Sequence, residues 1–544
     1  MEEQRGITRR DIPWRAADVL TARRSHPLPR WVDVAVVLAV MAYLVAGASS
    51  APRSSDEAAQ VALSRDARLV FTDPRALAPG GATSAVLEAQ RLVHGTVTRC
   101  AVAVGWYLGG ARDADRPVLP GETAKAGDEN RPHDVPAAFL GAARAGPAVI
   151  GAVGALMLYL LARRVAGRRV ATAALVLFGL NSGFLLVARQ ATDTGAVVTF
   201  GLAAILLAAY ASDRLERPAP VRLGAWTAVA LAAGLCLAAG RGAAPFLLGV
   251  VAWCVVGLVR GVQAARRAAL GGSTGPAPTG SNPLGEVGLL AVTALSALIV
   301  WVTVSPSLWG WLPERLITRG HDHAALVAAG ALPDPGPGGL TGFGEAVRRL
   351  IDGPFASVPL PSSYAGSGWA GAPIGASRLA VGLALATVAV AGAVVLLRRR
   401  RVQRRTGWSE EELRRGTRPR DATPLLMWTV LVVVWTLTHP SRLPGDQLAL
   451  LAPMAVLAAV GFVGAAEWVV RGVRRAAQAR RAVREAQDDG GGDDARSPYR
   501  GQHRLVDMAE GAGASQAPGA GYAGPISDVT MAADRPTSGS PPPG

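Results

Sequence analysis

"SAVLEAQRLVHGTVTRCAVAVGWYLGG", Ser84 to Gly110, decides which side of a membrane every later loop occupies. Its C-terminal half is apolar, but Glu88, Arg91, His94 and Arg99 interrupt the rest. It reads either as a membrane span or as a helix lying on the membrane surface. The apolar blocks around it run over roughly 31–48, 137–162, 170–188, 194–211, 222–240, 243–259, 286–304, 376–397, 424–438 and 446–470. Most have the 17 to 25 residues that cross a bilayer as a helix, which predicts about ten spans. If Ser84 to Gly110 does not cross, "LLARRVAGRRV" at Leu160 to Val170 is cytoplasmic. So are Arg214, Arg217, Arg260, Arg266 and Arg267, "RRRRVQRR" at 398–405 and "RGVRRAAQARR" at 471–481. If it did cross, all of these clusters would be outside. The positive-inside rule therefore selects an interfacial amphipathic helix.

Composition agrees with a polytopic, all-α membrane protein. The chain has 544 residues, 50% of them hydrophobic, and a mean hydropathy of +0.27. A soluble protein of this length does not average so apolar. The net charge of +16 does not indicate nucleic-acid binding. Lys125 is the single lysine, the pattern of an arginine-rich bacterial coding bias, and most arginines cluster at the ends of apolar blocks. Cys100, Cys236 and Cys254 lie far apart without metal spacing, so neither a disulfide framework nor a zinc site is indicated. Trp31 to Ala48 has the small residues of a signal-peptide cleavage site behind it. About thirty residues precede it, however, which favours a retained first span.

This topology gives a basic cytoplasmic segment at 1–30, a transmembrane domain at 31–470, and a cytoplasmic stretch with a Gly/Pro/Ser-rich disordered tail at 471–544. Both termini are expected to be cytoplasmic, and the membrane is expected to be the plasma (inner) membrane. Two large loops, 49–136 and 305–376, face outward.

Charged residues are nearly absent from the span midplanes, where a coupled transporter would place them. The polar residues collect on the outer face instead: Asp56, Glu57, His94, Arg99, Arg144, Arg189, Asp193, Arg241, His321, Asp322, His323, His439, Arg442 and Asp446. In "RSSDEAAQVALSRD", Arg53 to Asp66, Ser54 and Glu57 have the spacing of a capping box. Asp56 then points about 100° away from Glu57. A free helix N-terminus would keep Asp56 ionised.

The order of these parts resembles the GT-C fold glycosyltransferases, especially the protein O-mannosyltransferase group (glycosyltransferase family 39) and the lipid A aminoarabinose transferases. Asp56-Glu57-Ala58 is similar to the family's acidic motif after the first span. "HGTVTRCAVAVGWYLGG" from His94 resembles its His-Pro-Pro-Leu…Trp-Leu-x-Gly helix, with Gly95-Thr96 in place of the prolines. "ARAGPAVIGAVGALMLYLLARRVAGRR", "LNSGFLLVARQATDTGAVVTF", "GLCLAAGRGAAPFLL" and "HPSRLPGDQLALLAPMAVLAA" follow in the family's order, with Arg241 where the family has lysine. The resemblance covers about residues 31 to 470.

It implies inverting transfer of a sugar, mannose by closest likeness, from a polyprenyl-phosphate donor to an outer-face protein or glycan acceptor. A carboxylate must take the acceptor proton, the role the resemblance assigns to Asp56. Glu57, His94, Arg144, Arg189, Asp193, Arg241 and Arg442 are the expected substrate-binding residues, with arginines suited to the leaving phosphate. Each has a plainer alternative: a helix N-terminal acid for Asp56, snorkelling arginines for Arg144 and Arg241, a local ion pair for Arg189 and Asp193. His321-Asp322-His323 lacks an evident third ligand and reads as a solvated loop rather than a metal site; no cofactor is expected, and the sequence leaves dependence on a divalent metal open. The alternatives from other classes are a transport-type protein on the same scaffold and a membrane scaffold whose basic loops recruit partners.

Overall fold

The computed structural model describes residues 29–80, 85–118, 135–213, 219–240, 242–270, 283–310, 312–328, 377–406, 422–438 and 444–488. The expected N-terminal basic segment and C-terminal tail thus fall almost wholly outside the described residues. The chain divides into two compact units, Met1–Val469 and Val470–Gly544. All regular structure among the described residues is helical. Five helices are long and apolar enough to cross a bilayer, or six if one bent pair counts as a single span.

The chain enters through α1 (Arg30–Ala46). Short helices follow: α2 (Ser55–Leu63), α3 (Asp66–Thr72), α4 (Ala85–Val93) and α5 (Thr96–Leu108). The stretch from Ser84 to Gly110 is therefore two helices, because Gly95 adopts extended backbone between them. Neither is long enough to cross. On α5, Val102, Ala103 and Trp106 are buried while Val104, Tyr107 and Leu108 are exposed. That outward apolar face suits a membrane surface.

Helix α6 (Ala137–Ala166) lies against α5 at a contact made by small residues. A Cβ on Gly105 would fall 2.2 Å from the Ala142 carbonyl oxygen, and one on Gly146 would fall 2.0 Å from that of Ala101. Only glycine lets two backbones approach this closely, the usual device where lipid removes the hydrophobic drive for helix pairing.

The expected span 170–188 is not one helix. It is α7 (Arg168–Gly179) and α8 (Ser182–Arg189), bent by 68°. Asn181 explains the break, since its Oδ1 accepts from the N–H groups of Gly183 (3.0 Å) and Phe184 (3.2 Å). That side chain supplies the cap a new helix needs and competes with continuing the old one. Phe178 and Phe184 stack across the bend at 4.2 Å, both fully buried.

The remaining helices are α9 (Asp193–Ser212), α10 (Ala219–Ala239), α11 (Ala244–Leu270), α12 (Pro283–Val304), α13 (Leu312–Ala328), α14 (Ser377–Thr406), α15 (Thr423–Thr438) and α16 (Pro444–Asp488). Helices α6, α9, α10, α12 and α16 carry the five long apolar stretches; those of α1, α11, α14 and α15 are shorter. One core cluster joins Leu44, Leu158, Phe184, Ile205, Phe246 and Trp428. Charged pairs sit at helix ends. Asp33 meets Arg168 and Thr172, and Arg164 meets Asp213, all at the end of the bundle where α1 and α7 begin and α6 and α9 end. The opposite end holds the residues described next.

Candidate functional site

The start of α2 is built as its sequence implies. Ser54 Oγ accepts from the Asp56 N–H at 3.4 Å, and Glu57 Oε2 accepts from the Ser54 N–H at 3.0 Å, completing the capping box. Glu57 does more than cap. Its carboxylate receives Arg144 through Nε (2.7 Å) and Nη2 (2.6 Å), and the Ala191 N–H at 2.8 Å. Arg144, with no exposed surface, also donates to the carbonyls of Ala48 (3.2 Å), Ala51 (2.6 Å) and Pro52 (2.9 Å). Those contacts use all five guanidinium N–H groups. Arg144 and Glu57, expected to face substrate, are instead placed as a strut tying the α1–α2 connection to α6 and the α8–α9 connection.

Arg189 is placed the same way. It donates to the carbonyls of Tyr43 (2.5 Å) and Leu44 (3.3 Å) in the last turn of α1 and lies over the Tyr43 ring at 4.6 Å. A cation on the carbonyls of a helix C-terminus is favourable. Gly47 leaves the room, since a Cβ there would fall 2.1 Å from the guanidinium carbon. The expected pairing of Arg189 with Asp193 gives way to these contacts, because Asp193 turns to another partner.

That partner is the hinge between α4 and α5. Both Asp193 oxygens accept from the Gly95 N–H at 3.2 Å, and Oδ2 lies 3.4 Å from His94 Nδ1. Gly95 is required twice. A Cβ would fall 1.8 Å from the Ala239 carbonyl oxygen, and proline at this position would have no N–H for Asp193. The departure from a His-Pro-Pro pattern therefore has a physical cause. Gln60, from α2, lies 2.9 Å from the same Nδ1. Its amide either donates there, leaving the imidazole proton on Nε2, or in the flipped orientation accepts from it.

Asp56 completes the group. Burial is the main cause that raises its carboxyl above the usual 3.8; His94 opposes this, while Asp193 and Glu57 add to it. Burial therefore works against the helix N-terminus that was expected to hold Asp56 ionised. Four enclosed polar atoms here have no hydrogen-bond partner among the described residues: Asp56 Oδ1, Gln60 Oε1, His94 Nε2 and Thr192 Oγ1. Native interiors leave few such atoms, and ordered water or a polar ligand is what satisfies them.

Of these residues His94 lines a pocket of about 210 Å³, together with Gly95, Thr96, Trp301, Ser305, Ser307 and Arg319 from α13. Arg319 donates to the Val93 carbonyl at 3.3 Å. Burial pushes its guanidinium below the usual value, while Asp193 works in the other direction. Sequence reasoning missed Arg319, Gln60 and Thr192. The one sequence signal for Arg319 is a basic residue in the loop expected to face outward; the nearby His321 is exposed. Arg241 and Arg442 lie outside the described residues.

Scans with protein-family models and of curated proteins give no match to this sequence. Among solved structures, the Archaeoglobus fulgidus oligosaccharyltransferase in its apo form matches with a TM-score of 0.38 and 14% identity over 88% of this chain and 54% of that one. The archaeal oligosaccharyltransferase AglB from the same organism, in complex with an inhibitory peptide and a dolichol-phosphate, matches with a TM-score of 0.37 and 13% identity over 89% and 54%. The chain spans about half the length of these proteins.

Proposed function

We propose that this chain is a membrane glycosyltransferase of the GT-C type. It moves a sugar, mannose in our reading, from a polyprenyl-phosphate donor to a hydroxyl of a protein or glycan on the outer face. The observation that carries the reading is the set of enclosed polar atoms on Asp56, Gln60, His94 and Thr192 without a partner among the described residues, joined through His94 to a pocket that Arg319 also lines.

In this reading Asp56 accepts the acceptor's hydroxyl proton as the new bond forms between that oxygen and the sugar's anomeric carbon. A carboxyl raised above 3.8 holds a proton better than an ordinary aspartate and suits the task. The anomeric carbon–oxygen bond to the donor breaks, and its electron pair leaves on the lipid phosphate. Arg319 meets the developing phosphate charge. His94 Nε2 and Thr192 Oγ1 hydrogen-bond sugar or acceptor hydroxyls. Asp193 acts at one remove, holding His94 and the Gly95 backbone. Arg144, Glu57 and Arg189 hold the α1–α2 connection on which Asp56 stands.

The experiment is transfer of radiolabelled sugar from polyprenyl phosphate in membranes holding equal amounts of each variant. Asp56→Asn keeps shape and removes the base, so transfer falls about 10²–10⁴-fold at unchanged expression. Wild-type transfer by Asp56→Asn sinks the assignment.

A further inference from the structure

At the end of the bundle opposite this site, a second cavity of about 240 Å³ opens between α9, α10, α11 and α12. It is lined by Ser212, Trp226, Trp253, Cys254, Gly257, Leu258 and Leu290. Trp226 is 3% exposed, yet its indole Nε1 is enclosed without a hydrogen-bond partner among the described residues. A buried indole N–H ordinarily finds an acceptor, and this tryptophan lines the cavity.

The surroundings narrow what that acceptor belongs to. Leu258, Leu290, Cys254 and the two indole rings make an apolar wall. On α12, Val287 and Val292, which flank Leu290, are half exposed, as expected of a helix facing lipid, so the opening lies beside lipid. Arg222 precedes Trp226 by four residues on one helix face, and Arg260 follows Trp253 and Gly257 by seven and three on another. Both arginines therefore stand one turn beyond the cavity, toward the same end of the bundle. The order from the bundle outward is apolar wall, the unpartnered indole N–H of Trp226, then two guanidinium groups. A phospholipid presents acyl chain, ester carbonyl and phosphate in that order.

We infer that this cavity is a binding site for an anionic phospholipid. Its ester carbonyl accepts from Trp226 Nε1, its first methylenes lie on Leu258 and Leu290, and its phosphate and anionic headgroup face Arg222 and Arg260. The site is independent of the sugar-transfer reading, because none of its residues touches the Asp56 cluster.

The test is native mass spectrometry of the full-length protein in detergent with equimolar phosphatidylglycerol and phosphatidylcholine. Wild type should retain phosphatidylglycerol over phosphatidylcholine. Trp226→Phe keeps the ring and removes the N–H, so its apparent affinity for phosphatidylglycerol should fall about five-fold. The Arg222→Gln/Arg260→Gln double variant, which leaves the cavity wall intact, should lose the preference between the two lipids. Equal retention by wild type and both variants overturns the site, and equal retention of the two lipids by wild type overturns the anionic class. Sugar transfer measured on the same preparations should be unchanged.

Discussion

Arg144 separates two roles that a sequence treats alike: a ligand for the donor phosphate, or a strut. The structure gives it five hydrogen bonds, two to Glu57 and three to carbonyls of the α1–α2 connection, with no exposed surface. Arg144→Ala would leave Glu57, 1% exposed, as a buried carboxylate whose remaining donors are the backbone N–H groups of Ser54 and Ala191. Removing one partner of a buried ion pair costs about 3–5 kcal/mol, and the three abandoned carbonyls add to it. Arg144→Ala is therefore expected to aggregate or to unfold at markedly lower temperature in detergent, with sugar transfer lost only as folded protein is lost. Glu57→Gln removes the charge but keeps a capping acceptor, so it too should be destabilised, by less than Arg144→Ala. A double replacement, Glu57→Leu with Arg144→Leu, removes both charges together and should be less destabilised than either single leucine variant, which a double-mutant cycle reads as coupling. The assays are size-exclusion homogeneity after stepwise heating and thermal unfolding of purified protein, with transfer normalised to folded protein. An Arg144→Ala variant with wild-type thermal behaviour and abolished transfer would refute the strut and restore the phosphate role.

The other expectations concern the cluster itself. Because burial raises the Asp56 carboxyl, transfer should decline on the acid side with a midpoint above 3.8 as the base becomes protonated, and the residual activity of Asp56→Asn should lack that limb in a pH–rate profile. The sign for stability is opposite: a raised carboxyl favours the folded state below 3.8, and that contribution is lost as pH rises through the folded value, so Asp56→Asn should be less sensitive to rising pH in thermal unfolding. Gly95→Ala would put a methyl 1.8 Å from the Ala239 carbonyl oxygen, so it should lower the unfolding temperature and transfer together; a variant with wild-type values of both would show that the hinge is not so constrained. Arg319→Ala should cost on the order of 2–4 kcal/mol of transition-state stabilisation, with Arg319→Lys a partial rescue, and unchanged kcat/KM would remove it from the donor site.

Much of the architecture was legible in the chain because its causes are local. A run of apolar residues of the right length forms a helix whichever neighbours it meets, and the expected spans fall on helices. The capping box at Ser54 and Glu57 needs four consecutive residues and formed as spaced. The break at Asn181 was equally local, but hydropathy averages over a capping side chain and so read 170–188 as continuous. What each buried charge does was decided by tertiary structure. Glu57 finds Arg144 at 87 positions' remove, His94 finds Asp193 at 99, and Arg189 reaches carbonyls at 145 and 146. A charge enclosed at a helix end must be met by whatever packs there, and that depends on how the helix ends converge. The sequence alone determined that acids, histidine and arginines gather at one end of a helical bundle. Only packing decided that Glu57 and Arg144 are held by each other and by backbone, and Arg189 by the carbonyls ending α1, while Asp56 and His94 keep polar atoms that nothing among the described residues satisfies.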